Sequence, residues 1–190
     1  MLSQHTSDVN TARAFASLKA RFPRWEDAAR APVRRVADAI RLGGLADQKA
    51  PRIKAILREI ERREGEMSLA RLETLSDDEV EAYLCSLPGV GPKTAACVLV
   101  FSMGRAAFPV DTHVHRVTKR LGWIPASATA DRAHALLKQA VPPELRYEAH
   151  VQLIAHGRTI CVARRPRCSE CVLFDVCDAG PRLLAAGEAR

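Results

Sequence analysis

The run Leu87-Pro88-Gly89-Val90-Gly91-Pro92-Lys93, followed downstream by Val110-Asp111-Thr112-His113, puts an anion-binding turn, an amine and a carboxylate within one short stretch of chain. Glycines on either side of Val90 permit positive backbone angles and a close approach of backbone to ligand, and Pro92 suits the first turn of a helix. The free N–H groups of such a turn face an anion. Lys93, beside the turn, reads in two ways. A lysine in this position commonly makes a plain phosphate contact. Alternatively, an ammonium at the positive end of a buried helix is disfavoured by the dipole and by desolvation, which favours the free amine, and such amines attack carbonyl-like carbons to form Schiff bases. Asp111 precedes Thr112-His113-Val114 and makes a good helix N-cap. Close to Lys93, the same carboxylate would also stabilise positive charge on a sugar whose glycosidic bond is breaking, and could manage a proton.

Four of the six cysteines crowd into Cys161, Cys168, Cys171 and Cys177, spaced C-x6-C-x2-C-x5-C. In a reducing compartment such a group holds metal more often than it forms disulfides. Zinc ribbons usually show two close pairs and only one is present here, so the uneven spacing favours an iron–sulfur cluster over structural zinc. Cys85 and Cys97 fall on helical faces and read as small core residues. Arg164, Arg165 and Arg167 occupy the first loop of the array. They form either a solvated face or, on a metal-stiffened loop, a phosphate grip, with Lys119 and Arg120 as further non-specific contacts.

These groups need rigid elements to hold them. A chain of 190 residues, 47% hydrophobic, can bury one good core or two small ones. A net charge of +7 suits a polyanionic partner. Met1-Leu2-Ser3-Gln4-His5 lacks the pattern of a secretory signal and no apolar run has membrane-spanning length, so a cytoplasmic, nucleoid-associated setting is expected. Helical spacing recurs over residues 8–19, 33–41, 48–63, 77–86, 92–103, 112–121, 129–139 and 147–160, with no competing strand alternation. Pro109, Pro125, Pro142-Pro143 and Pro166 punctuate the chain, and Gly43-Gly44 marks a turn. The 92–103 segment is apolar all round and should be buried, whereas the tail after Cys177 should fray. The expected fold class is all-α.

Taken together, Leu87 to Ala95, Val110 to Val117, His156-Gly157-Arg158 and the cysteine array resemble the endonuclease III family, helix-hairpin-helix DNA glycosylases with an iron–sulfur cluster, over about residues 1 to 178. The resemblance implies a two-domain helical fold. Residues 1–108 would form a six-helix barrel carrying the hairpin at about 79–103, and residues 109–190 a domain built around a [4Fe-4S] cluster held by Cys161, Cys168, Cys171 and Cys177. Double-stranded DNA would bind across the cleft between them. Lys93 matches the family's Schiff-base lysine, Asp111 its catalytic aspartate, and the Gly89, Val90 and Gly91 amides its phosphate contacts. Leu45, in Gly43-Gly44-Leu45-Ala46, matches the apolar wedge that fills the space left by a flipped nucleotide, and Gln4 the residue that probes the widowed base. Loop packing is the plain alternative for Leu45, and a chain-end role for Gln4.

The sequence also departs from that pattern. Family members carry a further helix ahead of Leu2-Ser3-Gln4 that packs on the cluster domain, so Met1 would begin inside a helix, either by truncation or because this lineage does without it. No aromatic follows Leu45. Lys93 is present, whereas monofunctional mismatch-specific relatives lack a lysine there, which argues for lyase activity. The implied protein is a monomeric base-excision-repair enzyme that removes damaged bases, by default oxidised pyrimidines, and cleaves the abasic strand by β-elimination. A monofunctional glycosylase for alkylated or mismatched bases and a non-catalytic damage sensor are the alternatives.

Overall fold

The computed structural model describes residues 1–190 and contains helices and turns but no strand. Contacts divide it into two compact units, Met1–Gly91 and Pro92–Arg190, so the division falls inside the glycine turn, upstream of the residue 108 expected from the sequence. No helix is long and apolar enough to cross a membrane.

The first unit is built from α1 (Asp8–Arg21), α2 (Trp25–Arg30), α3 (Val33–Ala39), α4 (Ala46–Glu64) and α5 (Asp77–Cys85). Local chemistry sets the ends. Ser7 caps α1 by accepting from the Asn10 N–H, with Asp8 in the first turn and Lys19 and Arg21 in the last, as the helix dipole favours. Ser76 and Glu79 form a reciprocal capping box at the start of α5. Residues ahead of Ser7 form turns, so the helix expected to contain Met1 is absent there. Leu18, Phe22, Val36, Ile40, Ala50 and Ile53 make the core.

The second unit comprises α6 (Pro92–Phe101), α7 (Thr112–Leu121), α8 (Ala130–Ala140), α9 (Arg146–Thr159) and a short α10 (Gly180–Ala185). Its core joins Phe108, Val110, Val114, Val117, Leu121, Leu137 and Leu153. Two expectations change. Rather than being buried all round, α6 hides Ala95, Ala96, Leu99 and Val100 on one side and leaves Lys93 and Phe101 exposed. The tail does not fray, because the N–H of Arg190 donates to the Pro166 carbonyl at 2.9 Å and its own carbonyl accepts from Ser169 at 3.1 Å. Ala189 is buried as a result.

The His156-Gly157-Arg158 motif finds its reason in helix packing, since α7 side chains press on α9 at Gly157, which has no side chain of its own. A Cβ there would stand 3.0 Å from His113 Cβ and 3.2 Å from Val117 Cγ2. Gly157→Ala should therefore lower stability by about 1–3 kcal/mol through overpacking, measured by urea denaturation. Gly91→Ala, whose Cβ would meet nothing within 4 Å, should leave stability unchanged.

Candidate active site and cluster cradle

Between α6 and α7 the backbone runs without regular structure from Ser102 to Val110, and its buried carbonyls need donors. Two residues one turn apart on α9 supply them. Arg146 Nη1 donates to the Ala106 carbonyl at 2.5 Å, and His150 Nδ1 to the Pro109 carbonyl at 2.8 Å. The His150 ring is 3% exposed and packs against Phe101 and Phe108, at centroid distances of 5.8 and 6.3 Å. Burial pushes the imidazole below its ordinary range. Its bond to Pro109 and the nearby Asp111 carboxylate oppose that shift, and the Lys93 ammonium adds to it. One imidazole thus lies within electrostatic reach of both Lys93 and Asp111. Its Nδ1–H is committed to Pro109, which leaves Nε2 as an acceptor in the neutral ring.

Asp111 begins α7 as the sequence led us to expect. Its Oδ1 accepts the N–H groups of His113 and Val114 at 2.9 and 2.8 Å, a geometry that fixes the carboxylate and leaves Oδ2 outside the cap. Lys93 stands in the first turn of α6 with its side chain exposed, so the burial expected for it stops short of the amine. His113 and His115 are engaged within the unit, the first with Arg116 and the second with the Ala128 carbonyl.

In the first unit, Gly89 adopts the positive φ (+73°) that the turn requires, and Gly91 does not. The N–H of Val90 closes the turn onto the Leu87 carbonyl at 3.1 Å, so Val90 has no free amide to offer, whereas those of Gly89 and Gly91 remain unpaired. Leu45 is exposed and takes the left-handed conformation (φ +51°) as N-cap of α4. For a γ-branched residue this costs about 1 kcal/mol or more, so the surroundings must hold it. Lys49 does so from below. Buried at 3% exposure, it donates to the Gly43 carbonyl at 2.8 Å and the Leu2 carbonyl at 3.0 Å, tying the Leu45 loop to the segment that carries Gln4. Sequence reasoning missed Lys49, Arg146 and His150. Lys49 faces inward from an amphipathic helix, but α9 shows almost no apolar stripe to mark Arg146 and His150, and nothing in residue type announces which carbonyl each serves.

The four cysteines of the array surround one apolar cavity lined also by Val117, Leu121, Ile160, Phe174 and Leu183. Desolvation first, and then the neighbouring Cys161, Cys177 and Cys171, push the Cys168 thiol up, which records how near the four sulfurs stand. No three potential ligands converge on a single point. Thiolates spread around an apolar cavity fit a multi-iron cluster with its own sulfides better than one zinc ion. Arg120 was expected at the DNA surface, but its guanidinium turns inward. It donates to the carbonyls of Val162 at 2.7 Å and Ala163 at 3.0 Å and lies 3.3 Å from Cys161 Sγ. Arg116 similarly serves the carbonyls of Cys161 at 3.0 Å and Gly157 at 2.7 Å. Arg164 and Arg165 are exposed, Lys119 is half-buried, and Arg167 lies 3.7 Å from Glu170.

Residues 1–143 match the HhH-GPD superfamily of base excision DNA repair proteins, and residues 161–177 match the iron-sulfur binding domain of endonuclease III. The chain belongs to the endonuclease III family. Endonuclease III of Thermotoga maritima is 35% identical over 178 residues, covering 94% of this chain and 79% of that protein. An Arabidopsis thaliana protein named "Putative DNA glycosylase At3g47830" is 44% identical over 161 residues, covering 85% of this chain; the chain spans 55% of that protein's length. Among solved structures, a trapped endonuclease III–DNA covalent intermediate superposes with a TM-score of 0.82 at 30% identity, covering 96% of this chain and 82% of that one. This is the all-helical fold of the family, and its cofactor is a [4Fe-4S] cluster.

Two measurements test the geometry. Because burial depresses His150 in the folded state, stability due to its neutral form is present above the unfolded value, about pH 6.5, and is lost as pH falls below it. His150→Leu should flatten that acid limb in denaturation curves and cost about 1–3 kcal/mol at neutral pH by stranding the Pro109 carbonyl. Arg120→Ala should lose iron on purification, read by cluster absorbance near the visible edge, whereas Lys119→Ala should keep it.

Proposed function

We propose that the chain is a monomeric DNA glycosylase with abasic-site lyase activity, acting on duplex DNA that carries damaged bases, oxidised pyrimidines foremost. One observation carries the reading: an exposed amine at a helix N-terminus and a capped carboxylate lie within electrostatic reach of the same buried imidazole. The family membership and the likeness to a trapped covalent DNA intermediate support it.

In this reading Lys93 Nζ attacks C1′ of a flipped nucleoside as the glycosidic bond breaks, and the bonding electrons leave with the base, which takes up a proton. Asp111, its Oδ1 held by the cap, presents the charge that stabilises the oxocarbenium-like sugar. The amine then loses its proton, the ring opens, and a Schiff base to C1′ remains. Removal of a C2′ proton expels the 3′ phosphate by β-elimination, and water hydrolyses the imine to free the lysine. The unpaired Gly89 and Gly91 amides hold a phosphate, Leu45 and Gln4 enter the base stack, and Arg164, Arg165, Arg167 and Lys119 add backbone contacts. Bound to Cys161, Cys168, Cys171 and Cys177, the cluster supplies a covalent brace for the loop and no step of the reaction.

A nicking assay on abasic, thymine-glycol, uracil and alkylated duplexes, run with and without borohydride, tests this. Wild-type chain should give a covalent adduct on abasic DNA, and Lys93→Gln none. Asp111→Asn should slow base release by about 100-fold or more while keeping thermal stability, because asparagine caps a helix as well as aspartate does. Base release without any adduct would replace this reading by a monofunctional one in which Lys93 only contacts phosphate.

A further inference from the structure

Two turns along α4 from Leu45, an arginine lies over the glycine turn. A Cβ built on Gly89 would stand 3.4 Å from Arg52 Cδ and 3.9 Å from its Nε, so the stem of this side chain passes against the turn and brings its basic end within reach of it. Arg52 is exposed, and its guanidinium makes no hydrogen bond or ion pair. Other arginines of this unit are spent on carboxylates. Further along the same helix Arg62 and Arg63 both hold Glu59, and Arg71 holds Glu64. Beside Arg52, the N–H groups of Gly89 and Gly91 are also unpaired. Two unspent amides and one unspent five-donor fork therefore stand together, with no carboxylate to satisfy them.

We propose that Arg52 is a phosphate ligand of the glycine turn, closing a DNA phosphodiester between its guanidinium and the Gly89 and Gly91 amides. This rests on the glycosylase reading and takes it one step further, by assigning the charged half of the turn's anion site. Backbone amides offer only partial charge to a phosphate; a guanidinium adds a full charge and two parallel donors. α4 then has two tasks, Leu45 at its N-cap and Arg52 about 10 Å further along its axis, so a single rigid element would set the register between wedge and phosphate. A contact of this kind fixes affinity and register and carries no base specificity.

Equilibrium binding of the full chain to a duplex bearing a non-cleavable tetrahydrofuran abasic analogue, measured across a salt series, tests the assignment. This readout needs no lyase chemistry, so a failure of Lys93 trapping leaves it intact. Arg52→Gln should weaken binding roughly tenfold at low salt and reduce the slope of log affinity against log salt by about 1, with unfolding unchanged. Arg52→Lys should restore the slope. In a walk of single neutral methylphosphonates along the strand, one position should weaken wild type and leave Arg52→Gln unaffected. A slope in Arg52→Gln equal to wild type, or a walk in which both respond alike at every position, overturns the proposal.

Discussion

Backbone without a helix of its own must find donors elsewhere, and in the second unit four side chains on two helices supply them at the segments that lead into Asp111 and into the cysteine array. Arg146 and His150 on α9 satisfy the segment that leads into Asp111. Arg116 and Arg120 on α7 satisfy the carbonyls of Gly157 and residues 161–163, where the cysteine array begins. A buried carbonyl left unpaired costs about 1–3 kcal/mol, so these bonds decide where the irregular chain can run. The helices are thus props for the loops that lead into Asp111 and carry the cysteine array.

This arrangement places the carboxylate and the cluster cradle on one bar. α7 starts at Asp111, whose cap geometry fixes it, and its body and far end grip the cluster loop: Arg116 and Arg120 hold the carbonyls of residues 161–163, and the Ala179 N–H donates to the Arg120 carbonyl. A displacement of the loop would pull on the helix that orients the carboxylate. In the proposed reaction such a layout would give the cluster a structural purpose without asking it for chemistry, because rigidity in a supporting shell is what holds a reacting group within tolerance. The first unit shows the same economy. Buried Lys49 draws together two loop carbonyls under the strained Leu45, at the cost of desolvation that pulls its ammonium below the usual lysine range.

Lys93 departs from the burial that the sequence led us to expect. Lys93 is exposed, while the imidazole of His150 is the buried titratable group among the three. Burial at this site falls on the imidazole that organises the backbone, and exposure on the amine to which the proposed reaction assigns the attack. In the proposed reaction a nucleophile needs access, so its shielding would come from the bound DNA.

Much of this was legible in the chain itself. The helical spacing, the Gly89 turn, the N-cap at Asp111 and the cysteine array all follow from local rules, because caps, turns and ligand spacing act over a few residues. Local rules fail where a partner lies far away in sequence. Arg120 looked like one more surface charge until its carbonyl partners some 42 residues on came beside it. The C-terminal tail looked frayed because only the tertiary fold brings Arg190 to Pro166 and Ser169. Sequence by itself determined which residues could react and which helices would hold them. Only the folded chain decided which carbonyl each buried donor would serve, since that choice depends on long-range packing that no short-range pattern records.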